Sequence, residues 1–179
     1  MKRICIAGAS ECGKTTLAIE LSRAYWRNHK MPSLVLDIWK AENSWGKQAW
    51  VTADEKKFFG TEENQYADGA IWKRRGDLVI VDEASTVIAR DRNLVPIFTR
   101  IRHCEHTLLV ICHDATDLLP TMRRNLNELF LFCQPVKAIP LWQQDLPTMR
   151  GMEKATNLDK YFFLHCKNFS EATPKKLKL

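Results

Sequence analysis

Three groups of residues in this 179-residue chain have the types and spacing to handle a phosphorylated ligand. The first is Gly8-Ala9-Ser10-Glu11-Cys12-Gly13-Lys14-Thr15, which fits the pattern G-x-x-x-x-G-K-[ST] without a gap. In such a loop the backbone N–H groups turn inward around an anion, and the second glycine leaves room where a helix begins. Lys14 then reaches the β- and γ-phosphates as a point charge, while the Thr15 hydroxyl takes one Mg²⁺ position. Thr16 is a weaker contact. The expected ligand is a metal-bound triphosphate.

The second group is Asp82-Glu83, directly after the apolar run Leu78-Val79-Ile80-Val81. At the end of a strand, this order suits Asp82 to hold Mg²⁺ through water and Glu83 to polarise the attacking water. An acidic pair can also simply end a strand, but the phosphate loop upstream weighs towards catalysis. The third group is spread out: Arg102-His103, then His113, then Leu119-Pro120 and Arg123-Arg124-Asn125. A lone histidine is usually structural. His113, however, ends an apolar run where ligands gather in parallel sheets, a position that suits a sensor of the γ-phosphate.

These residues need strands to hold them. Buried strands are expected at Arg3 to Ala7, Ser33 to Ile38, Asp77 to Val81, Thr107 to Cys112 and Glu128 to Cys133, each a short apolar run. Helical spacing follows the phosphate loop (Leu17, Leu21, Tyr25) and recurs from Asn93 to Glu105, with Arg100 and Arg102 near its end. Leu118 to Asn125 reads as a short turn and helix, and Lys160 to Cys166 as an additional β-prone run. Five buried strands with helices between them imply parallel pairing, hence an α/β fold with three layers and a mainly parallel central sheet. Asp37, at the end of the second strand, is placed to face the active-site edge.

Trp39 to Gly76 is the least legible stretch, with Trp39, Trp45 and Trp50, many charges, and a helical pattern from Tyr66 to Trp72. Aromatics alternating with cations can form a nucleic-acid surface. Tryptophans capping the core, with solvated charges between them, is the favoured reading.

Length suits one domain over residues 1–179, with a core at about 3–133 and a C-terminal extension over 134–179. The net charge is +6 and Lys175, Lys176 and Lys178 form a basic tail, a balance that suits polyanionic partners, nucleic acid before membrane. Six cysteines without a C-x-x-C pair read as buried small hydrophobes in a reducing compartment; Cys12, inside the loop, would be reactive if exposed. No signal peptide is indicated, and no apolar run approaches the roughly 20 residues that span a bilayer.

The glutamate beside the metal aspartate is the base of additional-strand ATPases, and no N-K-x-D guanine motif is present. ATP is therefore expected over GTP on a P-loop NTPase fold of the RecA/ASCE-like kind. Together, GASECGKT, LVIVDE and the run from Arg102-His103 through His113 to LLPTMRRN resemble the FtsK/HerA superfamily. They look most like the short genome-packaging ATPases of tailless, membrane-containing double-stranded DNA viruses. His113 stands where that family usually has Gln; either can bond a phosphate or water, but His adds a titratable proton.

The resemblance implies an ATP- and Mg²⁺-dependent motor that translocates double-stranded DNA as a homo-oligomeric ring, a hexamer. Each active site would lie between subunits and be completed by a neighbour's arginine, first Arg102, then Arg123 or Arg124. The bland alternative is that these arginines cap helix C-termini or contact solvent. Partners would include a capsid vertex or internal-membrane proteins, and the location the host cytoplasm or the virion packaging vertex. Rival readings are a nucleoside or nucleotide kinase, for which Lys73, Arg74 and Arg75 are a poor lid, an ATPase for virion assembly or secretion, and a nucleotide-dependent scaffold without useful turnover.

Overall fold

The computed structural model describes residues 1–39, 44–61, 68–88 and 92–177. Lys178 of the basic tail, and Tyr66 at the start of the helical pattern that ends at Trp72, lie outside the described residues. In chain order the strands are β1 Arg3–Ala7, β2 Ser33–Leu36, β3 Ala49–Thr52, β4 Leu78–Val81, β5 Thr107–Cys112, β6 Glu128–Leu131, β7 Met149–Arg150, β8 Phe162–Lys167, β9 Ser170–Glu171 and β10 Thr173–Lys176. The α-helices are α1 Lys14–His29, α2 Glu55–Phe59, α3 Ala70–Lys73, α4 Ala84–Val87, α5 Val95–Arg100, α6 Pro120–Arg124 and α7 Ile139–Asp145.

Eight strands form one sheet in the order β10-β8-β6-β1-β5-β4-β2-β3. From β6 to β3 every pairing is parallel, and β8 and β10 close the other side as an antiparallel pair. β5 is therefore inserted between β1, which leads into the phosphate loop, and β4, which leads into Asp82. That inserted strand is the additional strand expected from the acidic pair.

Apolar residues alternate between the two faces of the sheet, as a period of two requires. Ile4 and Ile6 of β1 pack with Leu17 and Ala18 of α1; Cys5 and Ala7 face the opposite cluster, with Phe98 of α5, Met122 of α6 and Trp142 of α7. Both faces are covered, which is why these strands read as unbroken apolar runs. The helix expected from Asn93 to Glu105 is in three pieces: 3₁₀ turns at Arg92–Leu94 and Ile101–Cys104 flank α5, which has a proline in its first turn.

The β-prone run near residue 160 is a strand, but it joins the main sheet antiparallel to β6. β3 was not expected. Its residues, Ala49-Trp50-Val51-Thr52, are all at least partly exposed, and only pairing with β2 defines it. The tryptophans divide: Trp45 is fully buried and donates its indole N–H to Asp37, while Trp39 is 75% exposed and Trp50 39%. No helix among the described residues is long and apolar enough to cross a membrane.

At the edge where the parallel strands begin, Glu128 accepts from Lys2 (2.8 Å) and contacts His165 on β8 (2.5 Å). Burial pushes the Glu128 carboxyl up, but these hydrogen bonds outweigh it and hold the pKa down at about 2, from 4.5. A depressed carboxylate stabilises the fold fully above its unfolded pKa and loses that stabilisation as the pH falls through the folded one. Urea midpoints of the wild type should therefore fall between about pH 4.5 and pH 2, and Glu128→Gln should flatten that acid limb. An unchanged acid limb in the variant would remove Glu128 from the account.

Candidate nucleotide site

The phosphate loop leaves β1 at the edge where the parallel strands end, the edge at which open α/β sheets bind ligands. Two glycines shape it. A Cβ on Gly8 would lie 2.5 Å from Phe132 Cβ and 2.9 Å from Cys12 Sγ, so only a bare backbone fits between β1 and the end of β6. Gly13 caps α1 with φ 101°, in the left-handed region, which frees the helix N-terminus to point into the cleft.

Lys14 is 93% buried, at 7% relative exposure, and its Nζ donates to the carbonyls of Gly8 (2.9 Å) and Ala9 (2.8 Å). The ammonium therefore lies across the mouth of the loop. Thr15 Oγ1 donates to Asp82 Oδ2 at 3.1 Å, joining the loop to the end of β4 across the intervening β5. Asp82 Oδ1 accepts from the Glu83 N–H at 3.0 Å.

Glu83 has a left-handed backbone (φ 59°, ψ 50°) at the start of α4. This conformation is uncommon for a residue other than glycine and clusters at functional sites. Its Oε2 accepts from Ser85 Oγ (3.2 Å) and lies 3.4 Å from His113 Nε2. The structure thus brings Lys14, Thr15, Asp82, Glu83 and His113 to one edge. A cleft of about 350 Å³ is lined by Ser10, Glu11, Gly13, Lys14, Thr15, Thr16, Glu83 and Tyr161.

Three residues that hold or line the site were not singled out from the sequence. Asp117 accepts from the backbone N–H of His113 (2.7 Å) and Asp114 (3.2 Å), fixing the turn that carries the imidazole. Gln134 donates to the His113 carbonyl (3.2 Å) and is itself held by the Trp142 indole (3.3 Å). Tyr161 reaches the cleft from the residues before β8. Its β-prone neighbourhood signalled only a strand.

The arginines separate. Arg123 is 6% exposed, and its guanidinium bonds Asp145 and the carbonyls of Ala115 and Leu118. Its donors all point into the fold that supports His113. Arg124 is mostly exposed but shares Asp145 (2.8 Å). Arg102 is exposed at the edge where β5 begins, roughly 17 Å of strand away from the phosphate loop of its own chain. It cannot meet a ligand held by that loop, though its exposure leaves it open to a neighbour's. Arg74 is locked to Asp77 (2.8 and 3.0 Å) and Arg75 to the His103 carbonyl (3.0 Å), also at that far edge.

Cys12 is buried, and burial pushes its thiol pKa up against the opposing pull of Lys14. The condition set for reactivity, exposure at the helix N-terminus, is not met.

The oxygen pair from Thr15 and Asp82 fits a hard cation such as Mg²⁺, which takes one or two protein oxygens and completes its shell with water and phosphate. No group of three or more His, Cys, Asp or Glu that could hold a metal occurs among the described residues. Burial, with Asp37 and Glu83 nearby, lifts the Asp82 carboxyl to about 6 despite the Thr15 hydrogen bond.

No family model matches this sequence, and no curated protein does either. Solved structures do match its fold. The genome packaging NTPase B204 from Sulfolobus turreted icosahedral virus 2, in complex with AMPPCP, aligns with TM-score 0.76 at 17% identity, over 99% of this chain and 98% of that one. The cytoplasmic domain of the Type VII secretion ATPase EccC from Thermomonospora curvata aligns at 0.66 and 12% identity, over 98% of this chain but 23% of that one. The N-terminal domain of zonular occludens toxin from Neisseria meningitidis aligns at 0.54 and 13% identity, over 99% and 94%. The chain is thus similar in fold to a genome packaging NTPase and to a Type VII secretion ATPase.

The raised Asp82 pKa has a sign that can be tested. Between pH 3.8 and about 6 the folded state binds more protons than the unfolded one, so stability falls as pH rises through that window. Above it, the buried carboxylate opposes folding. Asp82→Asn should raise the stability of the ligand-free protein at pH 8 by about 3 kcal/mol while removing Mg²⁺-dependent nucleotide binding. Denaturant titration and nucleotide titration with and without Mg²⁺ measure the two effects.

Proposed function

We propose that this protein is an ATP-hydrolysing motor that moves double-stranded DNA and packages a viral genome into a preformed capsid. One observation carries the reading. Thr15 and Asp82 are hydrogen-bonded across the additional strand, with Glu83 beside them and 3.4 Å from His113. That geometry suits hydrolysis better than phosphate transfer to a second substrate. Similarity to B204 over nearly the whole of both chains adds support, since that protein is a genome packaging NTPase of the same extent.

The loop amides and Lys14 hold the β- and γ-phosphates. Thr15 and Asp82 would hold Mg²⁺, which would neutralise charge on those phosphates. Glu83 takes the proton of the attacking water, and its left-handed backbone aims the carboxylate away from β4 and towards His113. His113 connects that carboxylate to the γ-phosphate, on a turn fixed by Asp117 and Gln134. Arg102, exposed and remote from its own loop, completes the site of the next subunit, so the working state is a ring, hexameric in this reading. Arg124 is the second candidate; Arg123, buried on Asp145, serves the fold. The kinase reading loses its lid, because Arg74 and Arg75 are bonded at the opposite edge of the sheet. DNA, a capsid vertex or internal-membrane protein, and a location in host cytoplasm or virion follow from the motor reading.

The test uses two inactive variants. Glu83→Gln should lower phosphate release by about 10²- to 10⁴-fold with nucleotide affinity retained. Arg102→Ala should lower it by about 10³-fold, also with affinity retained. Mixing the two should restore part of the activity, because some interfaces then pair an intact Glu83 with an intact Arg102. Phosphate release should rise with long duplex DNA, and DNA affinity should fall steeply with salt. No recovery on mixing at ring-forming concentrations would remove the shared site; hydrolysis indifferent to DNA would sink the motor.

A further inference from the structure

The cleft beside the phosphate loop has one aromatic wall, and it is supplied by the C-terminal strands. β8 runs antiparallel to β6, so the residues just before it come back to the edge where the phosphate loop sits. There Tyr161 has φ 67°, an outlying conformation for a bulky residue, in a turn closed by the Phe162 N–H on the Asp159 carbonyl (3.0 Å). Its carbonyl accepts from the Leu177 N–H (2.8 Å), so the strand pair β8–β10 clamps it.

A Cβ built on Gly13 would lie 2.7 Å from Leu177 Cδ2 and 3.3 Å from Tyr161 Cδ1. The ring therefore rests against the start of α1, partly buried on the cluster of Cys12, Leu17, Phe132 and Phe163, and lines the same cleft as Thr15 and Thr16. The remaining side chains of that cleft are polar or small and belong to the phosphate end.

We infer that Tyr161 is the seat of the nucleobase, gripping it by stacking rather than by reading its hydrogen-bonding edge. This rests on the nucleotide-binding reading above and specifies its ligand. Bases should then rank by stacking area, purines above pyrimidines, with adenine and guanine close together. One contact competes: Lys160, exposed, places its ammonium 5.2 Å from the Tyr161 ring centroid. An exposed cation–π pair is weaker than a base stacked on an aromatic side chain, so the base displaces it.

Titration calorimetry with ATP, GTP, CTP and inorganic tripolyphosphate, each with Mg²⁺, tests the inference on the full chain. ATP and GTP should bind within about threefold of each other and at least about fivefold tighter than tripolyphosphate. Tyr161→Ala should erase that advantage and leave tripolyphosphate binding unchanged; Tyr161→Phe should keep it. Equal loss of ATP and tripolyphosphate affinity in the alanine variant, or loss in the phenylalanine variant, would overturn the assignment. If Tyr161→Ala does not fold, photolabelling of the wild type with 8-azido-ATP decides: label on the peptide bearing Tyr161 supports it, and label confined to other peptides overturns it. Wild type that binds neither ATP nor tripolyphosphate would refute the nucleotide reading itself, and this inference with it.

Discussion

The hydrogen bond from Thr15 to Asp82 is the constraint on which the rest of the structure depends. The two residues stand at the ends of elements separated by a whole strand, since β5 lies between β1 and β4. Two inter-strand spacings make roughly 10 Å, a gap that neither backbone can close. The helix N-terminus leans over it, and a hydroxyl meets a carboxylate. Everything that keeps β1, β5 and β4 in register therefore also sets the geometry at which a cation and a triphosphate could be held. The unbroken burial of those strands on both faces is the energetic basis of that precision.

The carboxylate so held is poorly solvated, and its raised pKa is the sign of a group positioned at a cost to the fold. Asp82, the left-handed backbone of Glu83 and the buried Lys14 all act in the same direction. The two buried charges, Asp82 and Lys14, would each be relieved by a ligand of complementary charge. Stability is supplied elsewhere, by Arg123 with Asp145 beneath the His113 turn and by Glu128 with Lys2 and His165 at the far edge.

Much of this was legible in the residues because the phosphate loop, the acidic pair and the buried strands are local patterns. A run such as Leu78 to Val81 announces a strand buried on both faces, whatever its neighbours. What escaped reading depends on distant partners. β3 has no pattern of its own, and β10 is exposed along its whole length; only pairing makes either a strand. Arg123 and Arg124 stood out as a pair, but Asp145, which claims both, is too far along the chain to be linked to them by spacing. Tyr161 gained meaning only when the sheet carried it back to Gly13.

That last contact has a consequence for how the protein comes into being. Leu177 and Tyr161 press on a loop that was synthesised some 160 residues earlier, and such long-range closure is slow and late in folding. A nascent chain emerging from the ribosome would carry the whole glycine-rich motif yet lack the clasp over it. The wall that Tyr161 gives the cleft would then form only once β8 and β10 have paired beside the loop.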